Sequence, residues 1–358
     1  MHRSMGVEGA KVVVTGGSGL CGRRLVEMLA ERKAGLVVSV DIAAPPADAL
    51  KAHNVEYVQA DIADVEALKA AFKGAQCVFH IAALVGPFFP DAKYWQVNYQ
   101  GTLNVIEACK AVGVPKIVMS SSPSTRLDGS DVVNLSEDEM PICFGNFSHL
   151  YAETKAKGEV ALRNACCDKL MTIAVAPHQV YGPRDGLFLP NLLHAAKTGR
   201  LRVFGNGENM ISFCHVDNYC HGLILAYDAL YPGSPALGKY YVITDDEPQK
   251  FWKVLDQAII GVGLASIFSK VKLPKWFLIC VAYIAKFFGD LVGKQFKLNP
   301  FTVKMLTIHR TFNIDAAKRD LKYQPLIKFE QGWKETIEWF NNNPDFWQEA
   351  AKRTIKKK

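Results

Sequence analysis

The stretch Lys11-Val-Val-Val-Thr15, running directly into Gly16-Gly-Ser18-Gly19-Leu20-Cys-Gly22, leaves this chain few folds to choose from. The valine run predicts a short buried strand. A helical pattern begins at Arg23, with Leu25, Val26, Met28 and Leu29 on its apolar side. Strand, glycine turn and helix in that order form the setting in which a dinucleotide is bound. Gly16 then permits the tight turn, Gly19 lets the backbone approach a pyrophosphate, and Gly22 lets helix pack close on strand. Ser18 and Leu20 lie in the same loop and complete its cofactor-contact set. The pyrophosphate would rest on the helix N-terminus, where backbone N–H groups lack partners.

Strand and helix patterns then alternate. A second strand, Leu36–Val40, ends at Asp41, whose carboxylate can accept from the adenosine ribose hydroxyls and would repel a 2′-phosphate. NAD is therefore expected rather than NADP, although Arg23 and Arg24 are close enough in sequence to receive such a phosphate. A third strand, Val55–Gln59, leads into Asp61-Ile62. A fourth, Cys77–Ile81, reaches Ala82-Ala83, where small side chains let a cofactor lie against the backbone. His80 reads as a packed strand residue. A helix opens near Val97, carries Asn98 and reaches about Ala111, and a fifth strand, Lys116–Met119, delivers Ser120-Ser-Ser122. A sixth, Met171–Ala176, ends in Pro177-His-Gln-Val180-Tyr-Gly-Pro-Arg184-Asp185. Six such alternations predict an α/β, Rossmann-type doubly wound parallel sheet over 1–185.

Between the last two strands stands Tyr151-Ala-Glu-Thr-Lys155. Positions i and i+4 of a helix share a face, so phenol and ammonium can be neighbours. The ammonium is expected to pull the phenol pKa down from about 10 towards working pH. By itself this spacing usually marks a surface tyrosine beside a solvated lysine. Here the strand-end serines and the glycine loop supply what a catalytic pair needs.

With these residues in place the chain resembles the extended short-chain dehydrogenase/reductases, on Gly16–Gly22, Asp41, Asp61, Ala82-Ala83, Asn98, Ser122, Tyr151, Lys155 and Val180–Pro183. Within them it is similar to the 3β-hydroxysteroid dehydrogenase family, especially its sterol-4α-carboxylate 3-dehydrogenase (decarboxylating) branch. That likeness rests on Tyr181–Asp185, Leu189–Leu193, Val203–Asn209, His215–Gly222, Tyr241–Pro248 and Lys322–Pro325. The resemblance implies Tyr151 as acid/base, Lys155 as its activator and a ligand of the nicotinamide ribose, and Ser122 as the hydroxyl that holds substrate and phenol. It implies Asp61 and Ile62 at the adenine, and Pro177 and Val180 at the nicotinamide end. Asn98 and Arg184 are assigned to the substrate, Arg184 as the partner of a carboxylate. Two departures stand out: Ala176 replaces a usual arginine, and Pro123 follows the serine in an unusually polar loop, Ser124-Thr-Arg126.

From 186 to 345 the alternation fades into a smaller, mainly helical substrate-binding part, with returns to the sheet expected near 211–225 and 240–245. The segment 273–291 holds an uninterrupted apolar run of ten residues, Trp276 to Ala285, flanked by Lys275 and Lys286. A spanning helix needs about 20. A helix lying in the lipid headgroup plane is expected instead, with a buried core helix or an odd span through Lys286 and Asp290 as the alternatives. The net charge of +7 includes five basic residues in the last seven, so 346–358 reads as a basic tail for a membrane surface and not as a nucleic-acid face. Nine cysteines without a CxxC predict reduced thiols and no metal site. Such thiols put the folded part in the cytosol, and no signal peptide pattern precedes the first strand.

The expected chemistry is NAD-dependent oxidation of a sterol 3β-hydroxyl, with loss of a 4α-carboxylate as carbon dioxide. Two rivals remain at this stage: a nucleotide-sugar epimerase or dehydratase, and a non-catalytic NAD(H)-binding scaffold at a membrane. The resemblance implies a peripheral location on the cytosolic face of the endoplasmic reticulum or a lipid droplet. A homodimer is compatible with the sequence.

Overall fold

In the computed structural model, which describes residues 6–86, 89–147, 149–291 and 298–356, the strands in chain order are β1 (Lys11–Thr15), β2 (Leu36–Asp41), β3 (Val55–Gln59), β4 (Cys77–His80), β5 (Lys116–Ser120), β6 (Val132–Leu135), β7 (Met171–Pro177), β8 (Val180–Tyr181), β9 (Met210–Ile211), β10 (Cys214–His215), β11 (Tyr240–Ile243), β12 (Gln249–Lys250) and β13 (Arg310–Phe312). Seven of them form one sheet in the order β11-β7-β5-β4-β1-β2-β3, every pair parallel. Val12–Val14 and Ile173–Ala176 are fully buried, as strands covered by helices on both faces must be. The seventh strand, β11, comes from the second half of the chain, where the sequence placed a return.

The first helix, Leu20–Glu31, starts three residues earlier than its apolar pattern, so Gly22 falls inside it. A Cβ there would stand 2.0 Å from the Gly16 carbonyl oxygen. Gly16 has φ +74°, and a Cβ on it would meet the Ala82 backbone at 2.7 Å. Loop, first helix and the end of β4 therefore lock together only without side chains.

The helix expected from Val97 begins at Asp91 and runs through a π turn, Trp95–Gln100, into Gly101–Val112. The extra residue of that turn points Asn98 inward. Its amide accepts from Leu84 N–H at 2.8 Å and donates to Leu84 C=O at 3.1 Å, clamping the strand exit after β4.

The second half is mainly helical, with short strands between the helices. β12, β9, β13 and β6 form a small separate sheet, so the return near Ile211 joins that sheet and not the central one. β10 pairs with β8. Asp245 braces this region, accepting from Tyr181 Oη (2.8 Å), His215 N–H (2.7 Å) and Asn218 Nδ2 (2.7 Å). A second core gathers Phe213, Trp252, Phe329 and Trp333 around Tyr181. The expected basic tail is instead a helix, Pro344–Lys356, that packs on the helix Phe188–Lys197. Trp347 and Ala351, one turn apart, give it a buried stripe that a solvated tail would lack; Lys357 and Lys358 lie outside the described residues.

The two loop glycines should respond oppositely to a methyl group. Gly22→Ala overpacks the loop and should cost about 2 kcal/mol in urea unfolding. Gly19→Ala meets only one atom, at 3.5 Å, and should stay within about 0.5 kcal/mol of the parent while weakening dinucleotide binding, because its methyl enters the cavity.

Candidate active site

A cavity of about 1460 Å³ opens at the C-terminal ends of the central strands, across the point where strand order reverses between β1 and β4. Gly16, Ser18, Gly19, Leu20 and Gly22 line it from the loop. Asp41, Asp61, Ile62, Ala82 and Ala83 line it from the strand exits, and Ser122, Tyr151, Lys155, Pro177 and Val180 complete it. Every residue that the sequence assigned to catalysis or cofactor binding thus converges here.

The groups present fit a dinucleotide. Gly19 caps the first helix without a side-chain bond and no acidic residue occupies the first turn, so uncapped N–H groups face the cavity. Asp41 is held at the end of β2 by the N–H groups of Ser18 and Ala43, both at 2.9 Å. Asn104 fixes the Ile62 carbonyl at 3.0 Å. The arginines that could have received a 2′-phosphate are occupied: Arg23 donates to Asp48 at 2.9 Å, and Arg24 to Asp217 at 2.9 Å and Glu31 at 2.8 Å. Loop, carboxylate and helix end together have the shape and charge that fit NAD.

Tyr151 and Lys155 project from the helix Leu150–Asn164. The Lys155 ammonium donates to the Ser120 carbonyl at 2.6 Å, and Ser120 Oγ accepts from Tyr219 Oη at 2.7 Å. Burial pulls Lys155 down to about 8, against the opposing charge of Glu159. The expected depression of the phenol is not found: burial raises Tyr151 above the ordinary tyrosine value, and the Ser122 hydroxyl offsets part of the rise. Lysine is turned to the strand end, and desolvation of the phenol wins.

Pro123 leaves Ser122 well placed. It occupies the first position of a one-turn 3-10 helix, Pro123–Arg126, where a missing N–H costs nothing, and Ser122 is the cap. Ser122 Oγ lies 2.8 Å from Ser124 Oγ. The polar loop turns Arg126 inward onto Glu159 of the tyrosine helix, at 2.6 and 3.0 Å, with Ser121 Oγ on the same carboxylate at 2.7 Å.

Two assigned residues do not act as expected. Asn98 is 1% exposed, does not line the cavity and spends its amide on Leu84. Arg184 reaches the cavity, but both its Nη atoms donate to Glu27, at 2.8 and 2.9 Å, so its charge is already met by a carboxylate of the chain itself. His80 is a packed residue, bonded to Thr15 and Thr102 and neutral at a pKa of about 3 because it is buried. The sequence did not mark His178, Arg310, Phe301, Met305, Trp339 or Phe346, all of which line the cavity. They come from separate stretches with no shared spacing, and only the fold brings them together.

The model of the 3-beta hydroxysteroid dehydrogenase/isomerase family matches residues 13–273. The chain is 33% identical to 3beta-hydroxysteroid-dehydrogenase/decarboxylase isoform 1 of Arabidopsis thaliana, over 92% of this chain and 79% of that one. It is 33% identical to the mouse sterol-4-alpha-carboxylate 3-dehydrogenase, decarboxylating, over 93% and 91%. It is 32% identical to a 2-alkyl-3-oxoalkanoate reductase of Stenotrophomonas maltophilia, over 90% and 97%. Among solved structures, the dTDP-glucose 4,6-dehydratase DesIV of Streptomyces venezuelae, with NAD and TYD bound, aligns with a TM-score of 0.74 at 20% identity, over 95% of this chain and 99% of that one. An epimerase of Methanothermobacter thermautotrophicus aligns at 0.74 and 23%, over 96% and 95%. These structural likenesses speak for the fold. The chain is an oxidoreductase acting on a CH–OH group, and it belongs to the 3-beta hydroxysteroid dehydrogenase/isomerase family.

Proposed function

We propose that the chain oxidises the 3β-hydroxyl of a sterol bearing a 4α-carboxylate, with NAD as acceptor, and that the resulting β-keto acid loses carbon dioxide to leave a 3-ketosteroid. The observation that carries this reading is the cavity wall beyond the polar site. Leu127, Phe301, Met305, Trp339 and Phe346 line the same cavity as the hydroxyl-handling groups with apolar surface suited to a fused-ring hydrocarbon, and not to the diphosphate of a nucleotide sugar. The names of two relatives agree on the reacting unit. A sterol-4-alpha-carboxylate oxidised at C3 and a 2-alkyl-3-oxoalkanoate both place a carboxylate one carbon away from the oxygen-bearing carbon.

Held at the glycine loop and Asp41, NAD would supply the two-electron oxidation as acceptor of the carbinol hydride. The chain supplies the rest. Tyr151 receives the hydroxyl proton as its phenolate, and Ser122 hydrogen-bonds the same oxygen and the phenol. Lys155, charged and locked on the Ser120 carbonyl, holds that end of the site in place. In the keto acid, the C4–carboxylate bond breaks, carbon dioxide departs, and the electron pair passes through the enolate to the carbonyl oxygen. Tyr151 returns its proton there, and the enol becomes the ketone.

The sterol reaches the site from lipid. No described helix is long and apolar enough to cross a membrane. The helix Lys275–Leu291 packs Leu278 and Ala282 against Val303 and exposes Trp276 (71%), Phe287 (63%) and Phe288 (57%). An apolar face of that kind lies in a lipid surface. The neighbouring helix Pro300–Met305 carries both Val303 and the cavity residues Phe301 and Met305. The docked face is the cytosolic surface of a sterol-bearing membrane, the endoplasmic reticulum or a lipid droplet.

Purified protein should form NADH with a 4α-carboxy-3β-hydroxysterol and none with a UDP-hexose; the reverse pattern would move the chain to the nucleotide-sugar class. Tyr151→Phe should cut the sterol rate by about 10²–10⁴-fold. Because the phenol titrates above its usual range, kcat/KM for oxidation should climb with pH across neutrality as the phenolate fraction grows, and the variant should lose that climb. The triple variant Trp276→Ser, Phe287→Ser, Phe288→Ser should stop floating with phosphatidylcholine vesicles while NAD binding persists. Unchanged flotation would remove the membrane role from this helix.

A further inference from the structure

Five cations line the active-site cavity, and four of them have evident roles. Arg23 and Arg184 are paired with Asp48 and Glu27, Lys155 holds the Ser120 carbonyl, and Lys93 is an exposed side chain reaching Gln96. Arg310 is different. It is 9% exposed, and no carboxylate among the described residues pairs with it. Its Nη2 donates to the Met305 carbonyl at 3.0 Å and its Nη1 to His178 Nε2 at 3.2 Å, while Nε is buried with no partner.

The histidine is fixed in the form this contact needs. His178 Nδ1 lies 2.6 Å from the Ser212 carbonyl, so it carries the proton and Nε2 is the acceptor. Burial and the neighbouring guanidinium push His178 down to about 3, so it stays neutral and cannot serve as a counter-charge in reverse. Burial brings Arg310 down to about 10, which leaves it charged at neutral pH. A guanidinium has five N–H donors, and two are engaged here. Buried charges in proteins are normally paired, and a planar fork with free donors is suited to a carboxylate.

The position is as telling as the missing partner. β13 carries Arg310 alongside β6 and β9, and His178 directly follows Pro177, the last residue of β7. Arg310, His178 and Pro177 share one cavity with Tyr151 and Ser122. We infer that Arg310 is the anchor of the substrate's carboxylate, gripping it while the neighbouring hydroxyl is presented to Tyr151. This rests on the carboxysterol reading and gives it a residue, in place of Arg184. The carboxylate sits one carbon from the alcohol, so the anchor determines which hydroxyl enters and favours acids over their neutral analogues.

The test compares wild type with Arg310→Met on two substrates, a 4α-carboxy-3β-hydroxysterol and the 4α-methyl-3β-hydroxysterol that lacks the charge. The variant's KM for the acid should rise roughly 10- to 100-fold, the effect of losing charge-assisted hydrogen bonds, with the methyl sterol unaffected. Equal losses on both substrates, or no loss on either, would overturn the anchor and leave the substrate reading intact. Wild type that oxidises only the methyl sterol also overturns it, while a wild type inactive on both sterols overturns the substrate reading itself. If Arg310→Met does not fold, wild type with NADH present decides through tryptophan fluorescence. The acid should bind at least about tenfold tighter than its methyl ester, and equal affinities overturn the proposal.

Discussion

Arg126 and Glu159 form a buried ion pair on which the geometry of the site depends. Glu159 is fully buried on the tyrosine helix, one turn beyond Lys155, and Arg126 ends the short loop that carries Ser122. The guanidinium also stacks on Tyr240, 3.3 Å from the ring centre, at the start of the edge strand β11. Serine loop, tyrosine helix and sheet edge are therefore pinned by one contact. Removing Glu159 leaves the Arg126 guanidinium buried without its carboxylate, typically at a cost of about 3–5 kcal/mol, whereas Glu159 without Arg126 keeps Arg163 at 3.5 Å. A hydroxyl and a phenol that must meet across two chain segments need a stiff connection, and hydrophobic packing alone would let the loop slide.

That pair also explains the polar loop that looked out of place in sequence. Ser124-Thr-Arg126 is short and hydrophilic, and Pro123 ahead of it resembles an interruption. In the fold the proline starts a one-turn helix, Ser124 bonds Ser122, and Arg126 reaches the core. The departure from the family pattern is thus an alternative way of holding the same serine.

What was legible in the sequence was local. Gly16, Gly19 and Gly22 act within one turn, Asp41 ends a strand, and Tyr151 and Lys155 lie on one helical face, so spacing read within the strand-and-helix order located them. The phenol's raised pKa was not legible, because it comes from desolvation by the surrounding chain and from a lysine turned to Ser120. Nor were the partners of arginines: Arg184 looks free beside a strand end until Glu27 of the first helix appears opposite it. The docked C-terminal helix was misread for the same reason. Its charges are visible as a run, whereas the stripe of Trp347 and Ala351 matters only once there is a helix to face.

The aromatic helix Lys275–Leu291 packs on the body through a cluster that sets Leu278 and Ala282 on Val303. Val303 shares its short helix with Phe301 and Met305, whose side chains face the other way, into the cavity. A molecule that filled the cavity against those two side chains would bear on the same short helix as Val303, and so on the aromatic helix. Coupling of this kind is reciprocal. Whatever grips the outer face of the helix must, to the same degree, improve the hold of the interior on its substrate, so occupancy inside and adhesion outside become two readings of one equilibrium.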